Sequence, residues 1–317
     1  MRPIYRVRAE LAPFPLPPGT FLLAGLLLLT ASAPASAQGR ALTLAYQLTH
    51  SVKVDPSLAP DGRRMVFITA ILGREQLFVM NVDGTESAQL THDDADHEDP
   101  AWSPRGDRIA FVRIKDSLET IYLMNADGSG MEALTPDSVR AIHPQWSPDG
   151  AAIAYCTDDD LKPPKKNPAA IYTIDVRDRR ITRLISGGVN TYPAWSPDGT
   201  RIAFRRMLGE MNSEVFVANR DGSEQRNLTN HPAFDGWPAW SPDGGRIAFA
   251  SNRNANYQIF TMNADGSDVR LVANTEGRAT APQWGRDGRT IYFSVCRKVD
   301  FGGDCNIFAA PLERSGR

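Results

Sequence analysis

Six copies of one segment constrain this chain more than any other feature. Pro-Ala-Trp-Ser-Pro-Asp-Gly is complete from Pro193 to Gly199 and from Pro238 to Gly244, with variants from Pro56 to Gly62, Pro100 to Gly106, Pro144 to Gly150 and Pro282 to Gly288. Their closing glycines lie 44, 44, 49, 45 and 44 residues apart. A period of that length marks a repeat architecture, in which each unit buries its apolar face against its neighbours. Each Asp-Gly turn leads into a short run of Ile and aromatic residues, such as Arg-Ile-Ala-Phe at Arg108, Arg201 and Arg246, which is strand composition. A variable polar loop and a second such run follow. Asn-x-Asp-Gly then recurs at Asn81, Asn125, Asn219 and Asn263, a hairpin signal because glycine takes positive φ without steric cost. Leu-Thr ends the unit at Leu90, Leu134 and Leu228. With the Trp segment innermost, each unit supplies four antiparallel strands. The expected fold is all-β, a six-bladed β-propeller of four-stranded blades.

The ring needs a closure. Gln-Leu-Thr-His occurs at Gln47 as well as at Gln89, and the last repeat stops without a Leu-Thr strand. The N-terminal strand is therefore expected to complete the last blade and cover its edge.

Ahead of the repeats, Arg2, Arg6 and Arg8 precede an apolar run from Phe21 to Leu29 and the small-residue pattern Ala35-Ser36-Ala37. That pattern describes a secretory signal over 1–37, with the propeller over 38–317 and no stable membrane insertion after cleavage. The expected location is periplasmic or secreted. Without the leader the net charge moves from −2 to −4. No concentrated basic surface is visible, which excludes nucleic acid as a natural partner.

Repeated residues answer needs that every blade shares, so ligand chemistry belongs to the positions that differ. In an up-and-down blade the Pro-Asp-Gly and Asn-x-Asp-Gly turns share one face, while the connectors and middle loops share the other. Loops on a rigid scaffold carry function, so binding is expected at the second face. The residue before each repeat's proline gives Asp55, Asp99, His143, Tyr192, Trp237 and Ala281, aligned to ring one channel mouth. The first five are the candidate ligand-binding residues. Asp55, Asp99 and His143 are weak metal candidates, outweighed by a solvated acidic rim, and no cofactor is expected. The run His92-Asp93-Asp94-Ala95-Asp96-His97-Glu98-Asp99 has metal-ligand types but no metal-site spacing. No nucleophile elbow or His-Glu-x-x-His is present, so the chain is expected not to be an enzyme. The alternative is a channel-mouth lyase or hydrolase, or a metal-dependent carbohydrate binder. Cys296 and Cys305 flank one hairpin loop and are placed for a disulfide, which leaves Cys156 as a buried thiol.

The units Trp-Ser-Pro-Asp-Gly-x-x-Ile-Ala-Phe, Ile-Phe-x-Met-Asn-x-Asp-Gly-Ser and Leu-Thr resemble the repeats of the TolB-like propeller family, named for the periplasmic component of the Tol-Pal system. The resemblance covers nearly all of 38–317 and does not include that component's N-terminal α/β domain. It implies a binding module for an envelope protein or peptide, and the chain is expected to be a monomer.

Overall fold

In the computed structural model, residues 45–49, 54–157, 169–297 and 305–312 are described. They form six four-stranded antiparallel sheets, and no helix occurs among the described residues. The innermost strands are Val54–Leu58, Asp96–Trp102, Ala141–Trp146, Val189–Trp195, Asp235–Trp240 and Arg278–Trp284. They open blades one to six in that order. The sixth blade takes its outer strand from Tyr46–Gln47, which pairs with Cys305–Pro311. Residues 1–37, the Asp158–Pro168 insertion and most of the Arg297–Asp304 loop lie outside the described residues.

Each sheet is held by the same cross-strand pair. Phe67, Phe111, Tyr155, Phe204, Phe249 and Phe293 on the second strands are fully buried or nearly so. Each faces an aromatic residue on the third strand at a centroid distance of 5.7 to 6.3 Å, and such pairs stabilise sheets beyond their area. The Leu-Thr threonines supply a missing acceptor. The hydroxyls of Thr49, Thr91, Thr135 and Thr229 accept the third-strand N–H groups of Ile307, Leu77, Ile121 and Val215 at 2.9 to 3.1 Å. The outer strand is only two residues long in blades one, two, four and six, so without that hydroxyl the amide beyond its end would be buried and unpaired.

Tryptophan joins blade to blade. The indole N–H groups of Trp146, Trp240 and Trp284 donate to the carbonyls of Ala101, Ala194 and Ala239 in the preceding blade at 3.0 to 3.1 Å. Trp102 and Trp195 have no such bond, and they follow the two blades in which Ser57 and Gln145 replace that alanine.

The Asn-x-Asp-Gly turn also makes an inter-blade contact. A Cβ at Gly84, Gly128 or Gly266 would lie 2.5 to 2.7 Å from the carbonyl oxygen of Leu48, Leu90 or Leu228, and Gly222 stands closer still to that of Leu184. Leu184 lies in the outer strand of the preceding blade, and Leu48, Leu90 and Leu228 directly follow theirs. Blade three lacks the glycine and uses a side chain instead: Arg179 donates through Nη1 to Ala133 O at 2.8 Å.

Candidate binding site at the channel mouth

Every innermost strand slips register once against its neighbour, between Val54 and Ser57, Glu98 and Ala101, Ile142 and Gln145, Thr191 and Ala194, Gly236 and Ala239, and Thr280 and Gln283. The residue inside each bulge has a left-handed backbone: φ is 49° at Asp55 and Asp99, 53° at His143, Tyr192 and Trp237, and 51° at Ala281. A proline follows each one. A bulge leaves one backbone N–H without a ladder partner, and proline has none to leave. Positive φ is strained for side chains as bulky as Tyr and Trp, yet the same conformation recurs in all six blades. Its consequence is that all six aligned side chains meet. Together with their prolines, Gln145 and Gln283, they line one cavity of about 80 Å³, room for several waters or the end of one side chain.

The wall of this cavity is polarised. On blades one and two stand Asp55 and Asp99. Burial, followed by the charges of Asp99 and Glu75, pushes the Asp55 carboxyl up to about 7. Burial raises Asp99 to about 6 against the pull of the His143 N–H, which donates to its Oδ2 at 3.0 Å. Next to them Glu98 is also held protonated to higher pH, by burial, by Asp99 and by a hydrogen bond with Glu75. His143 stands between the two halves. Its Nδ1 is 3.2 Å from Cys156 Sγ, its Nε2 3.7 Å from Asp99 Oδ2, and its ring lies 3.8 Å from that of Tyr192. Blades four and five complete the wall with Tyr192 and Trp237, 5.1 Å apart. Burial raises the Tyr192 hydroxyl pKa well above the usual phenol value, so that hydroxyl stays neutral.

Behind the aromatic half lies Arg205, only 6% exposed. Its guanidinium packs over Tyr192, Phe234 and Trp237 at 4.7, 5.2 and 5.8 Å, and its Nε has no hydrogen-bond partner. Sequence reasoning missed Arg205, Phe234 and the Cys156 contact. A signal was present: the residue after the second-strand aromatic is Ile68, Val112, Cys156, Arg205, Ala250 and Ser294 in the six blades, and a lone Arg in that column breaks the repeat's symmetry.

Cys156, His143 and Asp99 have the order of a thiol nucleophile, a base and an orienting carboxylate. The sulfur, however, is fully buried beneath the imidazole, so the contact positions the ring instead of presenting a nucleophile. No group of three or more His, Cys, Asp or Glu among the described residues is arranged to hold a metal ion. Asp55, Asp99 and His143 share the cavity without forming such a group. The acidic run before Asp99 is consumed by ion pairs: Asp93 with Arg113, Asp94 with Lys115 and Asp96 with Arg74. His97 lies inside a strand, fully buried, with Nε2 3.1 Å from Asp93. Cys296 and Cys305 are joined by a disulfide at the loop end of the last hairpin.

The raised carboxyls set a pH dependence. A carboxyl whose folded pKa lies above its unfolded value binds more protons when folded, so stability falls as pH rises between the two values. For Asp55 that window runs from 3.8 to about 7 and for Asp99 from 3.8 to about 6. Asp149 and Asp198 act oppositely: the hydroxyls of Ser147 and Ser196 hold them down to about 2, and their contribution is lost only on strong acidification. The domain should therefore melt higher at pH 5 than at pH 8, and Asp55→Asn with Asp99→Asn should flatten the difference. Equal melting of the parent at both pH values would refute the assignment.

A family model described as the TolB beta propeller domain matches residues 38–165 and 140–302. No curated protein matches the sequence. Among solved structures, TolB from Acinetobacter baumannii is 20% identical with a TM-score of 0.65, over 80% of this chain and 64% of its own length. The chain thus spans just under two thirds of that protein. A putative TolB from Agrobacterium tumefaciens is 21% identical with a TM-score of 0.63, over 85% of this chain and 97% of its own. A gluconolactonase from Xanthomonas campestris is 17% identical with a TM-score of 0.65, over 86% and 90%. Identities of this size carry the fold alone. The expectation that the chain is not an enzyme is corrected by the last comparison, because an enzyme matches the same architecture with the same TM-score as a TolB, so the fold gives no ground for excluding catalysis.

Proposed function

The chain belongs to the TolB beta propeller domain family, and from that premise we propose that it is a binding protein of the cell envelope, taking a protein or peptide segment on the face of connectors and middle loops. The observation that carries this reading is the bulge at one position of every blade, which brings Asp55, Asp99, His143, Tyr192, Trp237 and Ala281 into one cavity. Tyr192 and Trp237 are the anchors, since large aromatic groups dominate binding energy at interfaces. A periplasmic or secreted location, with residues 1–37 removed, is supported by the leader pattern and by the Cys296–Cys305 disulfide, which suits an oxidising compartment.

The test is capture from envelope extract with the 38–317 domain as bait. Tyr192→Ala with Trp237→Ala should abolish recovery of the captured protein, and Arg177→Glu on the opposite hairpin face should not. Alanine suits the bulge, because Ala281 already occupies it in blade six at φ 51°. Loss of capture by the Arg177 variant, with retention by the aromatic double variant, would place the site on the wrong face.

A further inference from the structure

The mouth is polarised in one direction, and on its acidic side the His143 imidazole, with Nε2 3.7 Å from Asp99 Oδ2, is the ion-pair partner of Asp99. Arg74, Arg113 and Arg140 are engaged elsewhere, with Asp96, Asp93 and Glu119. The side chain of Asp55 meets no hydrogen-bond donor or ion-pair partner, and Asp99 receives the His143 N–H. Across the cavity the aromatic half is backed by the guanidinium of Arg205, whose Nε has no hydrogen-bond partner. The field therefore runs from blades four and five towards blades one and two, and the space between is narrow.

We infer that the cavity takes the side chain of a lysine from the bound segment, its apolar stem against Tyr192 and Trp237 and its ammonium between Asp55 and Asp99. This rests on the reading of the mouth as a protein-binding site. Three features select that chemistry. An anion would meet the carboxylates of Asp55 and Asp99, with the charge of Glu75 acting on Asp55 as well. A neutral apolar group would leave the Asp55 carboxylate desolvated and unpaired, which is costly. A cation arriving tip first is repelled by Arg205 and attracted to Asp55 and Asp99, so the orientation is fixed as well. A compact ammonium on a long alkyl stem fits the narrow, half-aromatic shape, whereas a guanidinium is broad and planar. Burial holds Asp55 and Asp99 partly protonated near neutrality, so an arriving ammonium displaces protons. The titratable and charged groups around the pair are Glu75, Glu98, His143, Tyr192, Cys156 and Arg205.

The experiment uses the 38–317 protein and defined probes: the capped peptide Gly-Gly-Lys-Gly-Gly and its norleucine, arginine and glutamate counterparts, titrated against Trp fluorescence at pH 6 and pH 8. The lysine peptide should bind at least tenfold tighter than the norleucine and glutamate peptides and tighter than the arginine peptide. Its affinity should rise from pH 6 to pH 8. Asp55→Asn with Asp99→Asn should remove the lysine preference and the pH dependence. Asparagine tolerates the left-handed bulge and keeps an acceptor for the His143 N–H, and a cooperative melt of the variant checks its fold. Equal binding of lysine and norleucine peptides, a preference for glutamate or arginine, or no saturable binding of the lysine peptide would overturn the inference. Envelope capture scores the protein-binding reading separately, so lysine indifference with capture intact discards this inference alone, while loss of both discards the site.

Discussion

Removal of residues 45–49 is expected to lower the melting temperature by about 10 °C or more. Those residues carry the outer strand of blade six, Tyr46–Gln47, whose pairing with Cys305–Pro311 closes the ring. Deleting them removes the Leu48 N–H bond to Ile307 O and the Thr49 hydroxyl that bonds Asn306 and accepts the Ile307 N–H. Ile307 is fully buried and Asn306 nearly so, and each buried polar group left unpaired costs about 1 to 3 kcal/mol. Blade one loses one contact with blade six at the same stroke, since Gly84 packs on the Leu48 carbonyl. A total on the order of 5 kcal/mol shifts a domain of this size by the amount stated. Differential scanning calorimetry of the 50–317 protein is the check, and a melting temperature equal to that of 38–317 would show that the strand does not close the ring.

Gly222→Ala should destabilise by about 3 to 5 kcal/mol, far more than a glycine in a turn ordinarily contributes. Two effects add. The residue has φ +82°, where an L side chain is strained, worth about 1 to 3 kcal/mol. Its new methyl would also be driven into the Leu184 carbonyl of blade three, which is backbone and cannot swing away, so the two blades must part. Gly73→Ala separates the terms. Gly73 has φ +80° and nothing within 4 Å of a built Cβ, so it carries the strain alone. Urea denaturation of both variants measures the difference, and equal losses would mean that the Asn-x-Asp-Gly turn serves its own hairpin only.

The two variants mark where local sequence ceased to be informative. A glycine before a serine between two strands is legible as a turn, because turn geometry is set by four consecutive residues. That the same glycine touches the preceding blade depends on a carbonyl nearly forty residues away, and nothing local encodes it. The replacement of that contact by Arg179 in blade three, where the hairpin reads as a mere irregularity, has the same cause.

For the candidate site the division is similar. The sequence determined the six units, their strands and turns, the closing strand at Gln47-Leu48-Thr49, and the alignment of Asp55, Asp99, His143, Tyr192 and Trp237 at one level of the ring, since all of these follow from period and hydrogen-bonding pattern. Only the tertiary structure decided that a left-handed bulge turns those side chains into a shared cavity, that Arg205 backs its aromatic half, and that Cys156 lies under His143. It also decided that the acidic run from Asp93 to Asp96 is spent on Arg113, Lys115 and Arg74. The reason is range. Strand and turn preferences act over a few residues, whereas burial and Coulombic interaction sum over groups that the ring brings together from different blades.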